Sequence, residues 1–245
     1  MSAAVDLARI PVAILAGGQG TRLRPAIGDR QKVVAAVEGR PFVAILLDQL
    51  GAAGFRDVVL CVGHRADEVE AALGAAHGPL RLRYSREAEP LGTAGALRRA
   101  LPLLEGPDVV AMNGDSFCEV DLAAAWAWHR ERGAEATLVA VEVADASRYG
   151  RVEIDDAGRV RRFTEKQEDG APGWINAGIY LLAASRVAAL PATAPLSLER
   201  DVLPGWAAGA LYGYRTRGRF IDIGTPGAYS AASRFFQGGA GRGPA

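Results

Sequence analysis

Leu15-Ala16-Gly17-Gly18-Gln19-Gly20-Thr21-Arg22-Leu23-Arg24-Pro25 ends a short apolar run, residues 10–16, and Lys32 follows ten residues beyond Arg22. An apolar run of that length closing on glycines predicts a buried strand that enters a tight loop. Three glycines let backbone amides come close to a polyphosphate, and amides so arranged form a nest for anions. Arg22 and Lys32 add cationic donors that can follow charge onto a leaving pyrophosphate. A glycine turn alone is better explained by chain geometry. The Thr21-Arg22 pair, Pro25 and the spaced lysine shift the reading to phosphate chemistry. No Gly-Lys-Ser/Thr closes the loop and its spacing is not the dinucleotide one, so neither of those fingerprints applies.

Outward from the loop, residues 42–53 have helical spacing and stop at Gly54, and 58–62 form a β-branched apolar strand. An amphipathic helix over 66–73, a strand over 80–84 and a helix over 93–101 come next. A strand over 109–112 runs into Asn113-Gly114-Asp115, and a helix covers 122–132. Strands alternating with helices predict a parallel sheet covered on both faces. Its ligand should lie beyond the carboxyl ends of the strands, where the glycine loop and Asp115 both fall. The pattern then becomes β-rich: strands are expected over 136–143, 151–154, 159–163, 174–182, 209–214 and 219–223. Short helices are expected over 198–203 and 226–236, and the glycine-rich tail, 238–245, is expected to be disordered. The fold class is therefore α/β, a Rossmann-like, mostly parallel sheet flanked by helices, with a smaller β-rich part, in one domain over 1–237.

The chain has 245 residues, 49% hydrophobic and 23% charged, enough to bury a sizeable core without staples. Its 28 basic and 28 acidic residues balance, so no general polyanion-binding surface, and with it no nucleic-acid partner, is expected. A small local basic pocket stays open. Cys61 and Cys118 sit at or beside apolar runs and are expected as buried free thiols. No apolar run approaches ~18 residues, so no membrane span is expected. Residues 1–9 lack the pattern of a signal peptide, and the expected address is the cytoplasm. His64, His77 and His129 have no metal spacing with the cysteines. Arg161-Arg162 reads as a solvated pair, and oligomeric state, monomer or homo-oligomer, is open.

A carboxylate that closes a buried strand needs a partner or a metal. Asp115 is one, and Asp222, in Phe220-Ile221-Asp222-Ile223-Gly224-Thr225-Pro226, is another. Taken singly, each could be a helix cap or half of an internal ion pair. As a pair sharing a chain with the glycine loop, they point to a metal. Two carboxylates with phosphate oxygens and water suit magnesium, which keeps part of its hydration shell.

Gly17 to Pro25 with Lys32 resembles the opening signature of the sugar-1-phosphate nucleotidylyltransferases, Gly-Gly-x-Gly-Thr-Arg-Leu-x-Pro followed by Pro-Lys. Gln31 departs from it, standing where the family usually has proline, and implies a less rigid loop around Lys32. Glu87-Ala88-Glu89-Pro90-Leu91-Gly92-Thr93-Ala94 is similar to the family segment that reads the nucleobase. Glu87 can accept from N1–H and N2–H of guanine, favouring GTP, or from N3–H of uracil or thymine. Thr164-Glu165-Lys166 resembles the Glu-Lys motif whose lysine meets the sugar phosphate, and Asn176-Ala177-Gly178 the Asn-x-Gly strand that helps to hold the sugar.

The resemblance implies a glycosyltransferase-A-like fold, with nucleotide bound by residues of about 10–135 and sugar by residues of about 136–237. It implies nucleotide contacts from Leu15, Ala16, Gly17, Gly18, Gly20, Thr21, Glu87, Gly92, Thr93 and Asn113. Sugar phosphate would meet Glu165, Lys166, Asn176 and Gly178, and Mg2+ would be held by Asp115 and Asp222. Catalysis would rest on Arg22, Lys32 and Lys166, which position two anions and stabilise charge during an in-line displacement. The segments 197–204 and 218–229 are similar to the short bacterial branch, which includes D-glycero-D-manno-heptose 1-phosphate guanylyltransferases and N-acetylmuramate-1-phosphate uridylyltransferases, and the length is expected to suit that branch. The segment around Glu87 and the Phe220 to Gly224 ending look closer to the heptose enzymes. GTP and a heptose 1-phosphate are the expected substrates. A UTP- or dTTP-dependent hexose-1-phosphate enzyme and a non-catalytic nucleotide-sugar-binding subunit are the alternatives.

Overall fold

Val12–Leu15 (β1) is the strand ahead of the glycine loop, and Val12, Ala13 and Ile14 are fully buried. In the computed structural model, which describes residues 6–165, 170–192, 195–207 and 209–238, this strand lies near the middle of a ten-stranded sheet. The chain continues through Phe42–Ala53 (α1), Asp57–Val62 (β2), Ala66–Leu73 (α2), Leu80–Arg86 (β3), Gly92–Ala100 (α3) and Asp108–Asn113 (β4). Four strands run parallel in the order β4-β1-β2-β3. Apolar character on both sides of β1, β2 and β4 follows from helices covering both faces, whereas β3 alternates buried and exposed residues. Val12 and Ile14 pack with Leu47 and Leu50 on one face, while Ala13 meets Ala94 and Leu97 on the other. Each fully buried aliphatic side chain of this kind contributes ~1.5–3 kcal/mol.

The second half adds Ser116–Cys118 (β5), Leu122–Glu131 (α4), Ala136–Val143 (β6), Gly150–Ile154 (β7), Val160–Glu165 (β8) and Gly173–Ala183 (β9). Leu211–Thr216 (β10), Phe220–Asp222 (β11) and Pro226–Gln237 (α5) complete it. Strand β9 runs antiparallel to β4, with Ile179 opposite Met112, and antiparallel to β6 on its other side. One sheet therefore runs through both halves of the chain. Strands β5 and β11 form a separate two-stranded ribbon. That ribbon is fastened by aromatics: Phe117 meets Phe236 edge-on at 5.2 Å, and Phe236 meets Phe42 of α1 at 6.3 Å.

Helices over 42–53 and 66–73 and the strand over 136–143 coincide with their expected bounds. Others shift. The strands expected over 209–214 and 219–223 are Leu211–Thr216 and Phe220–Asp222. The helix expected over 198–203 is a widened π turn, Leu198–Val202, followed by a helical turn, Leu203–Trp206. Pro204 has no N–H to return to the preceding turn, so a regular α ladder cannot run through it. Ribbon strand β5, the helical turn Arg24–Ile27 and the small hairpin Ala36–Val37 with Arg40–Pro41 are too short to leave a periodic signal. The expected tail beyond Gly238 and Lys166 lie outside the described residues. Among the described residues no helix is long and apolar enough to cross a membrane. Both cysteines are buried and free, and burial raises both thiols, Cys118 to about 12.

Candidate active site

The glycine loop leaves β1 where Ala16 N donates to Cys61 O of β2 at 2.8 Å. Glu87 leaves the neighbouring β3, its own N–H donating to Val62 O, and folds back so that its Oε2 accepts from Leu91 N at 2.9 Å. Its other oxygen presses on the loop: a Cβ on Gly17 would meet Glu87 Oε1 at 2.7 Å. Only glycine lets the carboxylate lie so close to the loop backbone. Burial holds the Glu87 carboxyl above its ordinary range, outweighing the Leu91 N–H and the charge of Arg99.

Loop and carboxylate face a cavity of about 390 Å³ beyond the carboxyl ends of the parallel strands. Leu15, Ala16, Gly17, Gly18 and Lys32 line one side. Glu87, Gly92, Thr93, Asn113 and Asp115 line the rest. A second cavity, about 180 Å³, shares Gly17 and Glu87 with it and reaches Gly63 and His64. Gly20, Thr21 and Arg22 do not line the larger cavity. Arg22 is exposed, makes no hydrogen bond to another described side chain, and acts on Asp222 through its charge.

Asp115 and Asp222 are brought together by the ribbon. Asp222 lies opposite Ser116 in the β5–β11 pairing, and Ile223 N donates to Asp115 O at 3.0 Å. The Lys32 ammonium stands between the two carboxylates, hydrogen-bonded to Asp115 Oδ2 and 3.9 Å from Asp222 Oδ1. Burial pushes the Asp115 carboxyl up, but the Lys32 charge and hydrogen bond, with the Ser116 hydroxyl, bring it below its ordinary value. Asp222 is held above its ordinary value by burial and by the Asp115 charge, which Lys32, Gly224 N and Arg22 only partly offset. The pair thus already embraces one cationic group, and its two carboxylates fit a magnesium ion completed by phosphate and water. Among the described residues no third His, Cys, Asp or Glu joins them in a metal-binding group.

Asn176 and Gly178 shape β9 rather than the cavity wall. Asn176 donates from Nδ2 to Tyr180 Oη at 2.7 Å, and its Oδ1 accepts from Gly178 N at 3.0 Å. Gly178 has φ +74°, and a Cβ there would meet Asn113 Nδ2 at 2.8 Å, so the strand irregularity between Asn176 and Tyr180 makes room for Asn113. Glu165 closes β8 opposite Gly150.

Of the cavity residues given no site role from sequence, two polar ones matter most. Glu199 accepts hydrogen bonds from Thr93 Oγ1 at 2.8 Å, Ser197 Oγ at 3.0 Å and Tyr180 Oη at 3.1 Å. The resemblance of segment 197–204 gives Glu199 no role of its own, and its three hydroxyl partners reveal it. Gln31 is the second, and it overturns an expectation. It is 1% exposed and its amide bonds to the glycine loop, so Gln31 does not slacken the loop around Lys32 but fastens it.

A mostly parallel α/β sheet flanked by helices, with a glycine-lined cavity beyond its parallel strands, defines a glycosyltransferase-A-like scaffold. The chain belongs to the nucleotidyl transferase family, whose profile matches residues 12–238. It is 34% identical over 223 residues to a mannose-1-phosphate guanylyltransferase of Mycobacterium tuberculosis, covering 89% of this chain and 62% of that one. To the mannose-1-phosphate guanylyltransferase catalytic subunit beta of Drosophila pseudoobscura pseudoobscura it is 36% identical, covering 87% of this chain and 58% of that one. The chain thus spans about three fifths of the length of these curated relatives. HddC from Yersinia pseudotuberculosis, in a crystal structure complexed with GMP-PN, superposes with a TM-score of 0.83 at 32% identity, covering 93% of this chain and 99% of that one.

Proposed function

We propose that the chain transfers GMP from GTP to a sugar 1-phosphate and releases pyrophosphate, with Mg2+ as cofactor. The observation that carries this reading is a cation, the Lys32 ammonium, held between Asp115 and Asp222 beside a glycine-lined cavity of nucleotide size. Amides of Gly17 and Gly18 receive the triphosphate, and the Glu87 carboxylate accepts from N1–H and N2–H of guanine. Gly92, Thr93 and Asn113 hold the nucleoside side of the cavity. A phosphate oxygen of the sugar 1-phosphate forms the new bond to the α-phosphorus as the bond to the β-phosphoryl oxygen breaks. That oxygen is already anionic, so the chain needs no general base. Arg22 and Lys32 receive the charge that moves onto pyrophosphate, and Lys166, placed on sequence alone, orients the incoming phosphate. Magnesium, held by Asp115 and Asp222, would supply charge neutralisation at the phosphoryl oxygens.

Residues of about 10–135 serve the nucleotide and those of about 136–237, with Glu165, Asn176 and Gly178, the sugar. The sugar is a D-glycero-D-manno-heptose 1-phosphate, on the resemblance of the segments around Glu87 and Asp222. Mannose 1-phosphate is the second reading, favoured by the names of the curated relatives. GMP-PN in the HddC crystal supports the guanine reading. A cytoplasmic address is part of this proposal, in keeping with a nucleoside triphosphate as donor. Pyrophosphate release over a panel of GTP, UTP, dTTP and ATP against heptose, mannose and glucose 1-phosphates tests all of this. Turnover is expected with GTP and highest with the heptose. Release that is no faster with GTP than with the other nucleotides would overturn the proposal.

A further inference from the structure

A primary amide offers two N–H donors and two acceptor lone pairs, and at Gln31 the protein uses both ends. Nε2 donates to Ala16 O at 2.8 Å and Gly18 O at 3.0 Å, with His64 O at 3.4 Å as a third, weaker acceptor. Oε1 accepts from Val33 N at 3.1 Å, and the backbone N–H donates to Glu68 Oε2 at 3.0 Å. Glu68 is held in turn by Arg65 Nε at 2.8 Å. One buried side chain therefore ties the end of β1, the glycine loop, the turn after β2 and the segment that carries Lys32. Both polar atoms of the side chain are thus engaged within the protein.

We propose that Gln31 is a positioning residue: its amide sets the Gly17–Gly18 backbone and the Lys32 ammonium at a fixed mutual distance, and the transfer rate depends on that distance. This rests on the nucleotidyl-transfer reading above. The geometry supports the coupling at two points. A Cβ on Gly20 would meet Lys32 Cβ at 3.2 Å, so the lysine stem packs directly on the loop, while its ammonium is bound to Asp115. Without the amide, the carbonyls of Ala16, Gly18 and His64 lose a donor; the one at Ala16 is buried, and satisfying it requires the loop to open toward water. Reacting groups displaced by ~1 Å cost ~10²-fold in rate. Gln31 reaches no reacting atom, so its loss should act through placement alone.

The test uses the full chain and the Gln31→Met variant, which keeps the side chain's length and removes its hydrogen bonds. Hydrogen–deuterium exchange without ligand should quicken at least ~10-fold at residues 16–20 and 63–65 and stay unchanged in β4. With substrates, kcat should fall at least ~10-fold while the KM for sugar phosphate stays within about twofold. Unchanged exchange in the loop, or an unchanged kcat, would overturn the proposal. Should Gln31→Met fail to fold, Gln31→Ala, which leaves room for water at the three carbonyls, takes its place. Failure of both to fold would assign Gln31 to stability and refute the positioning role. Gln31→Pro keeps the backbone angle, because φ at Gln31 is −67°, within proline's range, and removes the N–H to Glu68 together with the amide. It should match Gln31→Met in kcat, and wild-type kcat there would also overturn the proposal. A wild-type chain that releases no pyrophosphate would end the nucleotidyl-transfer reading, leaving the exchange result to judge the clamp itself.

Discussion

Asp222→Asn should remove metal binding and turnover while leaving the fold nearly as stable as before. The Lys32 ammonium lies 3.9 Å from Asp222 Oδ1. At an effective dielectric of about 20 that attraction is worth ~4 kcal/mol. Asp115 binds the same ammonium, so the facing carboxylate oxygens are within ~6 Å, a repulsion of ~3 kcal/mol on the same scale. The two terms nearly cancel. Burial adds a cost for the charged form, in keeping with the raised pKa of Asp222. An acid held above its ordinary value is protonated more readily in the folded chain than in the unfolded one, so its ionised form costs stability at neutral pH. Removing that charge should move Tm by less than ~4 °C in a chain of this size. Transition-state stabilisation should nevertheless fall by ~2.7–4 kcal/mol, or ~10²–10³-fold in kcat. Electron paramagnetic resonance of Mn2+ with GTP, thermal melting and pyrophosphate release measure the three quantities. Near-normal Mn2+ affinity, or near-normal turnover, would refute the shared-cation geometry.

Glu87→Gln should weaken GTP binding by ~10–100-fold, the worth of charge-assisted hydrogen bonds to a base edge, and reduce the preference for GTP over UTP. In the wild type, GTP affinity should decline as pH falls toward the raised pKa of Glu87, because the accepting carboxylate is then protonated. Calorimetric titration at two pH values checks both, and a variant with unaltered base preference would remove Glu87 from recognition. His129 predicts acid sensitivity of a different kind. It is fully buried against Thr137 Oγ1 at 2.8 Å, and burial lowers its pKa to about 4 from 6.5. The unfolded chain takes up this proton first as pH falls, so stability should be full above pH 6.5 and lost progressively down to pH 4, by up to ~3 kcal/mol. Denaturant unfolding of His129→Gln should show a flatter profile over that window, and an unchanged slope would assign the acid response to other groups.

Much of the nucleotide half was legible because its signals are local. Helices over 42–53 and 66–73 announce themselves by the spacing of apolar residues, and 58–62 by β-branched content between polar flanks. Gly17 and Gly18 read as a loop after a strand ending at Ala16 for the same reason, and all three residues line the cavity. Asn176 and Gly178 were legible as a pair, but their hydrogen bonds within β9 depend on Tyr180 and Asn113. Ribbon strand β5 holds three residues, too few for a period to appear, and its pairing with the expected strand β11 rests on Phe117, Phe235 and Phe236.

The sequence by itself determined the α/β alternation, the glycine loop and two carboxylates that each end an apolar strand, since all of these depend on neighbours within a few positions. Only the tertiary structure decided that Lys32 stands between Asp115 and Asp222, that Glu199 joins the cavity, and that Gln31 stiffens the loop it was expected to loosen. Each of those rests on partners distant in the chain: Gln31 bonds to carbonyls at 16, 18 and 64. A side-chain amide or carboxylate takes its role from the donors and acceptors that folding brings to it, and spacing along the chain does not encode them.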